Sequence, residues 1–381
     1  MTIALPYSLA IKPVGSSCNL DCSYCYYLQH QPGGEKKMDR ATAEALIKNH
    51  IQSQPGKSKQ VDFIWHGGEP LLIGRDFYKD IITLQDKWGE GKCIVNTIQT
   101  NGTLINKRWA AFFKQHNIMV GVSIDGPNLL NDIARIDCHG KSSFERTMRG
   151  IRLLRDYNVE FNTLTVVNNR TYHSGKQIYD FLKHNGSLYM QFQPCIDHEL
   201  DRRFDYDWSL SGEQWGTFLC DVFDAWCQRD VGKIYVQFFE NCLMILLGRP
   251  SQMCHHAQTC GQQLMAEAQG QVYSCDHFGY DSYQIGNARH QSLADMVVSP
   301  AQVQFGQSKH NSLCRECKSC DFLPLCNGGC PKNRTLATAD TLPLNQLCQG
   351  YKMFFNYALP RLLKMVDVMK AGYPAQYYSL F

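Results

Sequence analysis

The chain has 381 residues, of which 44% are hydrophobic and 19% charged, so it predicts a folded protein of two or three domains and excludes a disordered one. A net charge of +3 is too small to indicate a nucleic-acid or membrane partner. The sequence has no signal-peptide pattern and no apolar run near the roughly 18 residues of a membrane span, so we expect a cytoplasmic protein. In that reducing compartment, 18 cysteines indicate metal binding rather than disulfides.

The first half of the chain alternates strand-like and helix-like segments. Strands are predicted at 7–14, 61–66, 94–99, 119–124, 160–167 and 188–193, and helices at 40–52, 75–88, 106–116, 142–157 and 172–184. This alternation is typical of a parallel sheet with helices outside it. Because six strands are too few for a closed eight-stranded barrel, we predict an α/β fold with a partial (β/α)6 TIM-like barrel.

Three cysteines, Cys18, Cys22 and Cys25, follow the first predicted strand in a C-x3-C-x2-C spacing. A four-iron cluster normally takes four cysteine ligands, so three would leave one iron open to a ligand from outside the chain. Zinc sites more often show paired C-x2-C units, and zinc or incidental thiols are the alternative for this stretch alone.

Polar or glycine-rich segments follow the next three predicted strands, at 67–70 (GGEP), 99–102 (QTNG) and 123–126 (SIDG). Barrels of this kind carry their active sites at the C-terminal ends of the strands, so we expect these segments to share one rim. GGEP alone is more often only a turn. Beside the cysteine motif it becomes a candidate binding segment, because glycines let the backbone approach a ligand closely.

The segment from 201 to 253 is helical and rich in aromatic residues, which we interpret as a packed bridge between domains. Cysteines concentrate again beyond it, as Cys254, Cys260, Cys275, Cys317, Cys320, Cys326, Cys330 and Cys348. Eight thiolates make two sets of four cluster ligands, although zinc ribbons also use C-x2-C. The stretch between Cys260 and Cys275 predicts a β-hairpin that turns at Gln269-Gly270. A helix over 351–369 is predicted near the C-terminus.

These motifs occur as IKPVGSSCNLDCSYCYY, WHGGEPLL, TNGTLI, VSIDGP, VYSCDHF, LCNGGCPKNR and LCQGYKMFF. Together they resemble the radical S-adenosylmethionine enzymes with a SPASM domain and, within that group, the anaerobic sulfatase-maturating enzymes. The sulfatase branch rests on overall similarity and especially on Cys275-Asp276. On this basis we expect a radical SAM barrel at 1–205, a helical bridge at 206–253, a small cysteine-rich α+β SPASM domain at 254–350 and a C-terminal helix at 351–381.

The resemblance implies S-adenosyl-L-methionine and three [4Fe-4S] clusters as cofactors. The implied ligands are Cys18, Cys22 and Cys25 for the first cluster, Cys254, Cys260, Cys275 and Cys330 for one auxiliary cluster, and Cys317, Cys320, Cys326 and Cys348 for the other. The implied contacts to S-adenosylmethionine are Tyr24, Gly68, Ser123, Arg135 and Ile196. Asp276 matches the catalytic base of the family.

The implied activity is oxidation of a Cys or Ser of an unfolded sulfatase polypeptide to Cα-formylglycine by way of a 5′-deoxyadenosyl radical. An electron donor such as a flavodoxin or ferredoxin is the implied further partner. Two alternatives are left open: a maturase that forms a thioether or other cross-link in a ribosomally made peptide, and a zinc-stabilised interaction protein.

Two positions depart from the family pattern. Cys314 precedes Cys317 in another C-x2-C spacing and is a spare candidate ligand, and His66 stands where some relatives carry Gln. The other cysteines, at 93, 138, 195, 220, 227 and 242, are predicted to be small buried apolar residues.

Overall fold

A ten-stranded sheet forms the centre of the structure, which is a computed structural model that describes residues 6–29, 37–198, 207–339 and 341–380. Its strands are β1 (Ser8–Ile11), β2 (Gln60–Trp65), β3 (Cys93–Thr100), β4 (Met119–Ser123), β5 (Phe161–Val167), β6 (Tyr189–Pro194), β7 (Tyr235–Val236), β8 (Gln263–Ala266), β9 (Gln271–Tyr273) and β10 (Gln284–Asn287). The strand order is β10-β9-β8-β1-β2-β3-β4-β5-β6-β7, and β11 (Arg334–Leu336) pairs separately with β12 (Leu344–Asn345).

The helices are α1 (Arg40–Ser53), α2 (Arg75–Trp88), α3 (Lys107–Gln115), α4 (Asn128–Asn131), α5 (Phe144–Asp156), α6 (Gly175–His184), α7 (Gly212–Arg229), α8 (Gln237–Leu246), α9 (Leu293–Val297), α10 (Pro300–Asn311), α11 (Arg315–Lys318), α12 (Leu323–Cys326) and α13 (Cys348–Lys370). The α1 and α3 helices begin where Asp39 and Asn106 cap free backbone N–H groups. The α7 helix begins at a capping box between Ser211 and Gln214.

Strands β1 to β6 run parallel and lie in chain order, as the alternating pattern predicts. The barrel strands bury side chains such as Leu9, Phe63 and Ile98, all 0% exposed, and the helices cover them with residues such as Leu46 and Phe113. This burial of apolar area is the main stabilising contribution to such a fold. The predicted partial barrel is therefore confirmed, with strand and helix ends shifted by at most a few residues.

The predicted hairpin is also present, and it extends the barrel sheet. Strand β8 pairs parallel to β1, with Leu264 opposite Leu9, and β9 returns antiparallel to β8. The backbone N–H of Lys12, just beyond β1, donates to the carbonyl of Ala266 at 2.9 Å. The cysteine-rich second half is thus hydrogen-bonded directly to the first strand, a connection that the sequence did not predict.

Helices α7 and α8 form the predicted bridge, whose first residues, 201–206, lie outside the described residues. The α7 helix crosses α13 closely because both helices have glycine at the contact. A Cβ atom on Gly350 would lie 2.1 Å from the carbonyl oxygen of Gly212. Packing of the bridge aromatics is confirmed by Trp226 and Phe223, both 0% exposed. No helix in the described part of the chain has the length and apolar character needed to span a bilayer.

Candidate active site

The loop that carries Cys18, Cys22 and Cys25 lies between two other segments of the barrel rim. On one side, Glu69 N–H donates to the carbonyl of Ser17 at 2.8 Å. On the other, Ser23 N–H donates to the carbonyl of Ala134 at 3.0 Å. The cysteine loop is therefore held by backbone hydrogen bonds to the GGEP segment and to the segment around Arg135.

Gly68 has a steric role in this arrangement. A Cβ atom at this position would lie 2.0 Å from the carbonyl oxygen of Ser17, which is backbone and cannot rotate away. Its own N–H donates to the carbonyl of Gly15 at 2.9 Å. Sequence reasoning explained this glycine by the close approach of a ligand, whereas the structure explains it by the close approach of the cysteine loop.

The thiols of the loop are buried near one another. Burial raises the pKa of Cys18 to about 11 and that of Cys22 to about 12, and the charge of Cys25 contributes to both increases. Arg135 acts in the opposite direction on both thiols. Binding of iron would therefore release protons from these thiols, as metal binding to cysteine generally does.

Tyr24 and Arg135, two of the predicted cofactor contacts, meet beside this loop. Tyr24 Oη donates to Asp125 Oδ2 at 2.6 Å and accepts from Arg135 at 2.9 Å. The Nε atom of Arg135 is buried without a hydrogen-bond partner among the described residues. Because orphaned buried donors are rare in native proteins, this N–H fits an acceptor such as the carboxylate of a bound amino-acid ligand.

Ser123 and Ile196 lie farther along the same rim. Ser123 is the last residue of β4, and its hydroxyl accepts from Gln99 Nε2 at 3.0 Å. Ile196 is partly buried just beyond the end of β6 and packs against the main core. The structure thus brings all five predicted contacts to the carboxyl ends of the barrel strands.

Sequence reasoning assigned no role to Glu69 and Asn101, which also face this site. Glu69 is 0% exposed and accepts hydrogen bonds from Thr100 Oγ1 and from the backbone N–H of Asn101, at 2.8 Å each. Asn101 Nδ2 donates to Asn19 Oδ1 in the cysteine loop at 2.9 Å. Both residues belong to the rim segments GGEP and QTNG, so the position of each segment after a strand was the available signal.

Asp276 lies at the carboxyl ends of β1 and β2. Its Oδ1 is 2.6 Å from Lys12 Nζ and 3.8 Å from His66 Nε2, and its Oδ2 accepts from Tyr26 Oη at 3.1 Å. Tyr26 immediately follows Cys25, while Asp276 immediately follows Cys275. The carboxylate therefore joins the first cysteine loop to the second half of the chain.

The electrostatics at Asp276 favour the carboxylate. Burial opposes ionisation, but the charges of Lys12, His66 and His277 hold the pKa of Asp276 well below its usual range. Lys12 is only 1% exposed and also lies over the Tyr27 ring, 3.4 Å from its centroid. Sequence reasoning did not identify Lys12, although its place directly after the first strand was a signal.

Cys254, Cys260, Cys275 and Cys330 come together around one space. Burial is the largest cause that raises the pKa of Cys260 to about 12, and the charges of Cys330 and Cys254 contribute. Burial also raises the pKa of Cys275, again with Cys330 and Cys254 contributing. Cys330 Sγ lies 3.7 Å from His277 Nδ1. We call these four cysteines the first auxiliary set.

Cys317, Cys320, Cys326 and Cys348 line a separate cavity together with Phe322, Tyr351 and Phe355. We call them the second auxiliary set. Between Cys326 and Cys330 three successive residues have left-handed backbone angles: Asn327 (φ 47°), Gly328 (φ 72°) and Gly329 (φ 65°). This turn carries Cys330 away from the second set and toward the first.

Cys314 lies outside that cavity. It is 0% exposed and packs with Leu313 and Cys317 in a small apolar cluster. Cys195 and Cys242 are buried as predicted, Cys220 and Cys227 are half-buried, and the prediction is wrong for Cys93 and Cys138, which are exposed.

Within the described ranges, no three His, Cys, Asp or Glu side chains converge on a single metal ion. A zinc ion would hold its cysteine sulfurs about 2.3 Å from one centre. In a four-iron cube each cysteine binds a different iron, so the sulfurs lie farther apart. The wider grouping of the cysteines fits iron–sulfur clusters.

Two family models match the sequence. The "Radical SAM superfamily" model matches residues 13–182, and the SPASM model, an "Iron-sulfur cluster-binding domain", matches residues 254–321. The first match covers most of the predicted barrel, and the second begins at the first cysteine of the first auxiliary set.

Relatives cover almost the whole chain. The serine-type anaerobic sulfatase-maturating enzyme of Bacteroides thetaiotaomicron is 42% identical over 96% of this chain and 92% of its own length. The cysteine-type enzyme of Clostridium perfringens is 33% identical over 96% of this chain and 100% of its own length. A solved structure of native anSMEcpe with bound AdoMet and the Cp18Cys peptide superposes with a TM-score of 0.87 at 33% identity, over 95% of this chain and 99% of that one. The chain belongs to the anaerobic sulfatase-maturating enzymes of the radical SAM superfamily.

Proposed function

We propose that this chain oxidises a cysteinyl or seryl side chain of an unfolded sulfatase polypeptide to Cα-formylglycine. Its relatives carry sulfatase maturation in their names, and the similar anSMEcpe structure holds both AdoMet and a peptide. The observation that carries the proposal is the position of Asp276, an ionised carboxylate between the Cys18–Cys25 loop and Cys275.

Cys18, Cys22 and Cys25 would hold the first [4Fe-4S] cluster, with S-adenosyl-L-methionine bound by Tyr24, Arg135, Gly68, Ser123 and Ile196. The unpartnered Nε of Arg135 fits the methionyl carboxylate, and the buried Glu69 fits the methionyl ammonium. When bound, these groups supply a carbon-centred radical that can take a hydrogen atom from the substrate.

Substrate oxidation removes one hydrogen atom, one proton and one electron in total. Asp276 would accept the proton from the thiol or hydroxyl, because Lys12 keeps it ionised and Tyr26 fixes its second oxygen. The electron needs an acceptor close to Asp276. The adjacent Cys275 belongs to the first auxiliary set, whose four cysteines would ligate a second [4Fe-4S] cluster, and the second auxiliary set would ligate a third.

The test is Asp276→Asn, which keeps the size of the side chain but cannot accept a proton as a carboxylate. Loss of a general base typically lowers the rate by about 10² to 10⁴. We expect 5′-deoxyadenosine to form still, because the cysteine loop is intact, while formylglycine in a sulfatase peptide nearly disappears. Mass spectrometry of both products and an iron determination measure this uncoupling.

Asp281→Asn is the matched control, since Asp281 is an exposed carboxylate in the next turn, and it should leave both products unchanged. If both products decrease together in Asp276→Asn with full iron content, Asp276 supports cofactor binding instead. If neither product decreases, the base lies elsewhere.

The same assay with paired Ser- and Cys-containing peptides determines the preferred target. We further propose a flavodoxin or ferredoxin as the electron donor and the cytoplasm as the location, because the clusters require a reducing partner and compartment. Formation of a cross-link within the peptide instead of formylglycine would favour the alternative peptide maturase.

A further inference from the structure

Two buried cations lie among the auxiliary cysteines, and the proposed chemistry gives neither of them a role. Lys309 is 0% exposed and Arg334 is 8% exposed. Among the described residues neither forms an ion pair with a carboxylate, unlike Lys12, which pairs with Asp276. A buried charge is costly unless other groups compensate it, so the structure around these two residues needs an explanation.

Lys309 is on α10 and reaches the backbone of the first auxiliary set. Its Nζ donates to the carbonyl of Cys254 at 2.8 Å and also to the carbonyl of Ala257. The same helix accepts the N–H of Cys260 at the carbonyl of Gly306, at 3.0 Å. These bonds fix the ammonium beside two cysteines of the set and satisfy its N–H groups, but they do not neutralise its charge.

Arg334 is held beside the glycine turn that separates the two sets. Its Nε donates to the carbonyl of Gly328 at 3.2 Å, and one terminal nitrogen donates to Ser312 Oγ at 2.9 Å. The other terminal nitrogen donates to the carbonyl of Asn327 at 3.4 Å. All these acceptors are uncharged, so the guanidinium also keeps its net charge.

The compensating negative charges are those of cysteine. Lys309 interacts electrostatically with Cys260, Cys254 and Cys330 of the first set, and it also acts on Cys326 of the second. Arg334 interacts with Cys317 of the second set and with Cys260 and Cys330 of the first. Each cation therefore acts on both sets at once.

We propose that Lys309 and Arg334 are positioning residues that form a fixed cationic layer between the two auxiliary clusters and make both clusters easier to reduce. A four-cysteine cluster is anionic and becomes more so when it accepts an electron. A buried positive charge stabilises the reduced form more than the oxidised form, because the low local dielectric screens it little.

This inference rests on the proposed function, in which substrate oxidation delivers one electron to the first auxiliary cluster. The electron leaves the substrate as its proton goes to Asp276, so the first cluster gains one negative charge. Passage of that electron to the second cluster moves the charge across Lys309 and Arg334. Cations shared by both clusters lower the electrostatic cost at each end of this transfer.

The test is the reduction potential of the auxiliary clusters in the anaerobic holoenzyme, followed by electron paramagnetic resonance during a redox titration. Signals that do not change on addition of S-adenosylmethionine report these clusters. Lys309→Met keeps an unbranched side chain and removes the charge. We expect the reduced-to-oxidised ratio at a fixed potential to fall about tenfold, which is about 59 mV for one electron.

Lys309→Arg keeps a positive charge and should retain the wild-type potential. Lys364→Met is the matched control, because Lys364 is exposed on α13, sixteen residues beyond Cys348 (364 − 348) and thus about 24 Å along the helix. An unchanged potential in Lys309→Met at full iron content would overturn the proposal.

If Lys309→Met does not retain its iron, the pair Arg334→Lys and Arg334→Met provides the same comparison. A lower potential only in Arg334→Met supports the cationic layer, and equal potentials in the two variants overturn it. The titration uses no sulfatase peptide. Failure of this inference is therefore distinguishable from failure of the proposed function, which is measured by formylglycine formation.

Discussion

The two halves of the chain each enclose cysteines, but they surround them with opposite charges. Beside Cys18, Cys22 and Cys25 lie two buried carboxylates, Glu69 and Asp125, with Arg135 between them and the thiols. The auxiliary cysteines instead have Lys309 and Arg334 buried among them, without a carboxylate partner in the described part of the chain. Burial raises the thiol pKa in both places, so the difference lies in the neighbouring charges.

The difference matches what each site would bind. S-adenosylmethionine carries a sulfonium and an ammonium as well as a carboxylate, and a site with both carboxylates and a guanidinium suits such a ligand. The auxiliary sites have four cysteines each and leave no iron for substrate, so their neighbours can only influence electron transfer. The same ligand atom therefore serves two kinds of chemistry, according to the number of cysteines and the charge around them.

The largest expected effect comes from removing the three-cysteine site altogether. Replacement of Cys18, Cys22 and Cys25 by Ala should leave about two thirds of the iron, because two of three cubes remain, and should abolish cleavage of S-adenosylmethionine. Iron and sulfide analysis and the yield of 5′-deoxyadenosine measure the two effects. The matched control replaces the exposed Cys93 and Cys138 by Ala and should keep full iron and full cleavage.

Retained cleavage in the triple variant would contradict the assignment of the first site. Stoichiometric zinc in anaerobically prepared wild-type protein would contradict the assignment of the auxiliary sites.

A smaller effect is expected from Gly68→Ala, which tests whether the first site depends on the backbone contact between two rim segments. The added Cβ would meet the backbone of Ser17 at 2.0 Å, so the cysteine loop must move. Overpacking of this kind costs about 1–3 kcal/mol. We expect lower thermal stability and weaker S-adenosylmethionine binding, while the auxiliary clusters remain.

Gly56→Ala is the control for this substitution, because a Cβ there has no neighbour within 4 Å. Equal stability and equal cofactor affinity in the Gly56 and Gly68 variants would show that the close approach is not required.

The smallest expected effect is that of Cys314→Ala, which tests the boundary of the second auxiliary set. Cys314 packs in an apolar cluster and does not line the cavity of that set, so its loss should cost about 1 kcal/mol and no iron. Cys317→Ala should lose about one third of the iron, because Cys317 lines the cavity. The reverse pattern in the iron analysis would mean that Cys314 is the ligand and Cys317 is not.

The sequence by itself determined the local features of this protein. The strand and helix periodicities predicted six parallel strands and their helices, because each element buries one face at a fixed residue spacing. The C-x3-C-x2-C spacing predicted three thiols on one loop, because so short a segment cannot separate them widely. The position of polar segments after successive strands predicted a common rim, since parallel strands end on the same side.

Only the tertiary structure decided which distant residues meet. The left-handed turn at Asn327, Gly328 and Gly329 brings Cys330 to the first auxiliary set, a pairing that the family resemblance implied and that spacing alone left open. The pairing of β8 with β1 brings Asp276 to Lys12, and α10 brings Lys309 to Cys254. These contacts depend on how separate elements pack, and a single sequence carries no local signal for a charge that is compensated by residues far away in the chain.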